Sequence, residues 1–126
     1  MVTVLAATVT SCGTFAERED AASTTVTRFE QALAAQQAAE ICAALAPATR
    51  EELEQSAKEP CLQAVTQSDV PAAGGVHAVD VYGGQARVVL EHDTVFLAHF
   101  PTGWKISAAG CTSQPGQPYQ CEIKGR

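Results

Sequence analysis

The sequence predicts an α+β domain in which N-terminal helices pack on a curved antiparallel sheet of four to five strands, with two disulfides. Three observations carry that expectation. Apolar residues recur at threes and fours through the first half of the chain, and at twos from Val76 onward. Four of the five cysteines fall in two groups, Cys42 with Cys61 and Cys111 with Cys121. The 126 residues suffice for one hydrophobic core and are too few for two.

Bulk composition narrows the class. Hydrophobic residues make up 46% of the chain, but only 6% are aromatic, so the core is thin and gains from covalent help. The net charge of -6 and the single, scattered basic residues exclude nucleic acid and electrostatic docking on anionic lipid, which both need clustered Lys and Arg. Five cysteines in a small chain point to an oxidising compartment. None stands in a CxxC pair or near a His at zinc spacing, so no metal and no other cofactor is expected.

The first sixteen residues carry no charge, and Glu17-Arg18-Glu19-Asp20 follows abruptly. The run is shorter than the roughly 20 residues that span a bilayer. It has the apolar core and small-residue exit of a secretory signal. Val9-Thr10-Ser11-Cys12 resembles the bacterial lipobox, whose cysteine is lipidated and becomes the new N-terminus. No Lys or Arg precedes the apolar stretch, so the true start is expected upstream, or the chain is trimmed. The expected organisation is therefore a signal-like segment at 1–11, a lipidated Cys12 and tether through 21, and a folded domain from 22 to 126.

Within the domain, Val26, Phe29, Leu33, Ile41 and Leu45 form one apolar helical face, with Asp20 or Ser23 as cap. Gln36-Gln37 interrupts that face, which predicts helices over about 22–36 and 38–46. Pro47 ends the unit. Thr49-Arg50-Glu51-Glu52 reads as a capping box opening the next helix, which Pro60 interrupts before Cys61 to Val65 add a turn. Ser68 to Gly75 is a loop. Val79 and Val81 then alternate with Asp80 and Tyr82, and Gly83-Gly84 marks a hairpin. Ala86 to Leu90 is the second strand, and His92-Asp93 a turn. Thr94 to Phe100 is apolar on both faces and reads as central and covered. Pro101-Thr102-Gly103 turns into Trp104 to Ala108, and Gln120 to Lys124 forms a short fifth strand.

The order of helix, Ala44-Leu45-Ala46-Pro47-Ala48-Thr49-Arg50-Glu51-Glu52-Leu53-Glu54, cysteine, strand meander, Trp104-Lys105-Ile106-Ser107-Ala108-Ala109-Gly110-Cys111 and Pro118-Tyr119-Gln120-Cys121-Glu122-Ile123-Lys124-Gly125 resembles small secreted actinobacterial proteins of the NTF2-like (cystatin-like α+β roll) superfamily. The resemblance spans residues 22 to 126, and its link to the secreted subgroup rests on the two cysteine pairs. Such relatives often carry Gly-Asp where this chain has Gln36-Gln37. The resemblance implies a conical fold with a pocket at its wide end. It implies no particular reaction.

Four cysteines allow three connectivities. Cys42–Cys61 and Cys111–Cys121 are favoured: a helix, a turn and an antiparallel return bring the first pair together, and the second pair flanks a Pro/Gly-rich loop between strands. Cys12 is then the odd cysteine, and lipidation accounts for it.

No GxSxG, HExxH, P-loop or GxGxxG pattern occurs, and no catalytic residue is assigned. His77, His92 and His99 are read as loop or edge residues rather than a joint site, with His99 singled out because it falls in the most apolar strand. Asp80 and Tyr82 share a strand face. In NTF2-like isomerases and hydratases an Asp or Tyr inside the cone moves protons, so that enzyme type is the alternative reading. Asp80, Tyr82, His99 and Trp104 are the pocket candidates. The expected function is a membrane-anchored extracytoplasmic lipoprotein domain, non-catalytic, that binds a small apolar ligand or an envelope protein, with a homodimer through the sheet as a further possibility.

Overall fold

Residues 14–125 are described in the computed structural model of the chain. The signal-like segment and Cys12 lie outside the described residues. Four helices, α1 (Phe15–Ala34), α2 (Ala38–Ala44), α3 (Pro47–Ala57) and α4 (Cys61–Gln67), precede five strands, β1 (Val76–Tyr82), β2 (Gln85–Leu90), β3 (Thr94–Phe100), β4 (Gly103–Gln114) and β5 (Gln117–Lys124). The strands form an open sheet in chain order, β1-β2-β3-β4-β5, with every neighbouring pair antiparallel. The α+β class and both disulfides, Cys42–Cys61 and Cys111–Cys121, are as the sequence predicts.

α1 begins about two turns earlier than its apolar face suggests, and residues 15–21 are helical. The cause is a local signal. Thr14 is the N-cap: its hydroxyl accepts from the Glu17 N–H at 3.2 Å, and the Glu17 carboxylate accepts from the Thr14 N–H at 3.1 Å. This is a complete capping box, satisfying two donors that a helix start otherwise leaves bare. The same T-x-x-E spelling at Thr49 does not cap. Pro47 occupies the start of α3 after Ala46 as N-cap, and Thr49 is buried. Its hydroxyl donates to the Ser107 carbonyl at 3.0 Å and ties α3 to β4.

The break between α1 and α2 occurs where Gln36-Gln37 predicts it. Gln36 takes φ 54°, and the Gln37 N–H closes on the Ala32 carbonyl at 2.9 Å. A left-handed residue after a helix is usually glycine; a non-glycine residue there costs about 1 kcal/mol. After α2, Leu45 makes a parallel bridge with Ile106, and the Ala46 N–H donates to the Ile106 carbonyl at 2.8 Å. The chain between α2 and α3 is thus laid along β4.

All helices sit on one face of the sheet. Ala22, Val26, Phe29 and Ala32 of α1 belong to one buried core with Val88, Val95, Leu97 and Ile106 of the sheet. Small side chains at Ala22 and Ala32 let α1 approach the sheet closely, which suits a core with few aromatics. The expectation that β3 is covered on both faces is corrected: β3 is the central strand, but its outward residues Phe96, Ala98 and Phe100 are only half-buried because no helix lies over them. Their apolar character has another origin. Phe96 packs edge-on against Tyr119 at 5.0 Å, although β4 separates their strands in the sheet. The β4–β5 hairpin bends to allow this contact. A register shift between Thr112 and Gln114 interrupts β4–β5 pairing, and Gly110 adopts φ +66°, where an added Cβ would stand 3.0 Å from Glu122 and 3.3 Å from Val70.

Asp93 fixes that bend. Its carboxylate accepts from the N–H groups of Thr94 at 2.7 Å, Gly110 at 2.9 Å and Cys111 at 2.7 Å. A single side chain in the β2–β3 turn therefore holds the start of the hairpin that carries the second disulfide.

Candidate ligand groove

α1 presents a second face beside its core face. Glu17, Arg18, Ala21, Thr24 and Arg28 recur at helical spacing and form one wall of an open groove of about 1020 Å³. Glu40, Ala43 and Ala44 of α2 form the opposite wall. Phe29 and Trp104 close the floor, and His99 with the β3–β4 turn makes the rim. The volume is in the range of small-molecule sites.

Trp104 organises this region. The indole is only 6% exposed. The His99 ring stands edge-on to it at 4.9 Å and 71°. The Arg18 guanidinium lies over it, 5.7 Å from the ring centre, and donates to the Gly83 carbonyl in the β1–β2 turn. That cation–π geometry holds a charged group against an apolar surface. Across the groove, the Lys105 ammonium donates to the Ala43 carbonyl at 2.9 Å. Ala43 is in the last turn of α2, where carbonyls lack helical partners and a cation is favoured.

His99 and Trp104 thus line the groove, while Asp80 and Tyr82 lie outside it. Asp80 accepts from the Arg87 guanidinium at 2.7 and 3.2 Å, across β1 and β2, on the sheet face away from the helices. Tyr82 is 51% exposed. Alternation along β1 places both opposite Val79 and Val81, which pack on the core. His77 is exposed on β1 and His92 is exposed in the β2–β3 turn, where it approaches Glu91 at 3.7 Å. The three histidines do not converge. Among the described residues no three His, Cys, Asp or Glu side chains gather as a metal site.

Sequence reasoning missed Arg18, Arg28 and Lys105. A signal existed for the first two, which share a helical face with Ala21 and Thr25. Lys105 joins them only because α2 folds back onto β4.

One buried acid lies elsewhere. Glu30, on α1, is 7% exposed. One carboxylate oxygen accepts from the Ala73 N–H at 2.7 Å, and the other has no partner among the described residues. Burial pushes its carboxyl above the ordinary value, the Ala73 bond pulls it down, and the nearby Asp93 charge pushes it up further. Glu30 thus tethers the loop before β1 and takes no part in the groove. A smaller cleft of about 400 Å³ lies between α1, α2 and α4, lined by Leu33, Ile41, Val65 and Val70. Among the described residues no helix is long and apolar enough to cross a membrane. The two disulfides point to an oxidising, extracytoplasmic environment. No protein-family model matches the chain, and neither a curated protein nor a solved structure shows significant similarity to it.

Proposed function

We propose that this chain is a membrane-tethered extracytoplasmic domain of the NTF2-like kind that binds a small, partly apolar ligand and performs no catalysis. The observation that carries the reading is the groove between α1, α2 and the β3–β4 turn, with its indole floor and fixed polar rim. A binding role is favoured over proton transfer because the one buried acid with a raised pKa, Glu30, is not in the groove. Lipidation at Cys12 is part of the proposal. The four described cysteines pair with one another, which leaves Cys12 without a partner in its own chain.

Trp104 is the only tryptophan, so its emission reports on the groove directly. A small-molecule screen read by Trp104 fluorescence and by amide chemical shifts should give hits that move Ala21, Ala43 and Lys105. Hits that all map to another surface would sink the binding reading. Mass spectrometry of the protein from its host should show a chain that starts at Cys12 with a diacylglyceryl mass. An unmodified cysteine at that position would sink the anchor.

A further inference from the structure

We infer that the groove selects an anionic ligand: a carboxylate or phosphate monoester on a short apolar body, with the acid group paired to Arg28 and favoured by the positive charges of Arg18 and Lys105. The inference rests on the reading of this groove as the binding site.

The charge distribution carries it. The whole chain has a net charge of -6, yet three of its eight Lys and Arg residues line this one groove. None of the three forms an ion pair among the described residues. Arg18 and Lys105 are positioned by backbone carbonyls, of Gly83 and Ala43, which fix the side chains without cancelling their charge. Arg28 is exposed and has no hydrogen-bond partner among the described residues. Of the two carboxylates in the groove, Glu17 is committed to the Thr14 N–H in the capping box. Glu40 stands on the α2 wall and pairs with none of the three cations.

Donors therefore outnumber acceptors. A guanidinium carries five N–H groups and an ammonium three, and Arg18 and Lys105 each spend one on a carbonyl. Thr24 and Thr102 add hydroxyls at the groove wall and rim. The complementary partner is rich in acceptors and negative, which describes a carboxylate or phosphate. Arg18 and Arg28 are about 15 Å apart along α1, so the site is long enough for an apolar body as well as the acid group. Ala21, Ala43, Ala44 and the Trp104 edge supply its apolar contacts. The chain's negative charge repels an anionic surface, so the expected source is a soluble acid rather than a lipid headgroup in a bilayer.

The test uses the 126-residue chain with Cys12→Ser, titrated with decanoate, decyl phosphate, decanol and decyltrimethylammonium below their micelle concentrations, and separately with phosphatidylglycerol vesicles. Binding is read from Trp104 emission and groove amide shifts. The two acids should bind about tenfold more tightly than decanol, with the cation weakest, because three partly exposed cations each contribute a few-fold. Arg28→Gln should cut the preference for acid over alcohol about threefold. Arg28 is exposed and has no partner among the described residues, so this variant keeps its fold, and circular dichroism checks that. Raising sodium chloride from 50 to 500 mM should erode the acid preference alone. Response to vesicles with none to the monomeric acids would support the same anion chemistry and name the headgroup as its source. Equal affinity for decanol and decanoate would overturn the anion assignment while leaving the groove as the binding site. No response of Trp104 or the groove amides to any probe would overturn both.

Discussion

Removing the two disulfides separately should expose unequal roles. The bridges close 19- and 10-residue separations. Chain entropy alone assigns about 3.2 kcal/mol to Cys42–Cys61 and about 2.7 kcal/mol to Cys111–Cys121. Burial widens the gap. Cys42 and Cys61 are 3% and 0% exposed in the main core, whereas Cys121 is half-exposed at the hairpin. Replacing the first pair by alanine also leaves a buried cavity, which adds about 2 kcal/mol. The expected losses are about 5 kcal/mol for Cys42→Ala with Cys61→Ala, and about 3 kcal/mol for Cys111→Ala with Cys121→Ala. With an unfolding entropy of about 2.1 cal/mol/K per residue, these are Tm drops of about 19 °C and about 11 °C. Urea unfolding of both double variants, with calorimetry, measures them. Dilute reductant under native conditions should open Cys111–Cys121 first, because Cys121 is partly exposed whereas Cys42 and Cys61 are buried. A hairpin variant that loses as much stability as the core variant, or a core bridge that reduces first, would refute the burial argument.

Three other perturbations probe separate features. Glu30 has a raised carboxyl pKa, so the folded state holds its proton more tightly than the unfolded chain. Its contribution is fully present below the ordinary value of 4.5 and is lost as pH climbs through the raised value. Glu30→Gln should therefore match the parent near pH 4 and be more stable at pH 8, measured by urea midpoints; a variant less stable at pH 8 would contradict this. Asp93→Ala should cost about 3 kcal/mol and speed amide exchange at Gly110 and Cys111, since three backbone donors lose one charged acceptor. Thr14→Ala should cost about 1 kcal/mol and fray the first turn of α1, seen as faster exchange at Glu17 and Arg18 with the rest of the helix unchanged.

The order of elements was legible because the apolar period changes from helical to alternating at Val76, and because Gly83-Gly84 and Pro101-Thr102-Gly103 mark turns. Cysteine pairing was legible because each partner is the next cysteine along the chain from Cys42. Other features were ambiguous at the level of sequence. T-x-x-E occurs at both Thr14 and Thr49, and only the position of Pro47 and the burial of Thr49 decide which one caps. Alternation assigns Asp80 and Tyr82 to one face of β1 without saying which face meets the helices; the packing of Val79 and Val81 on the core settles that in space. The groove was hidden for a deeper reason. Its cations come from two turns of α1 and from β4, and only the fold-back of α2 onto β4 brings them together.

The two disulfide loops are also sequential: neither encloses nor overlaps the other. A chain exported N-terminus first and oxidised as its thiols emerge would join each cysteine to the next, and from Cys42 onward that simple rule yields the native bridges without reshuffling. Cys12 would spoil it, because a free thiol there emerges ahead of Cys42 and takes its place in the queue. Under the proposed lipidation the thioether removes Cys12 from thiol chemistry altogether. The anchor would then also keep the oxidation of the remaining four in register.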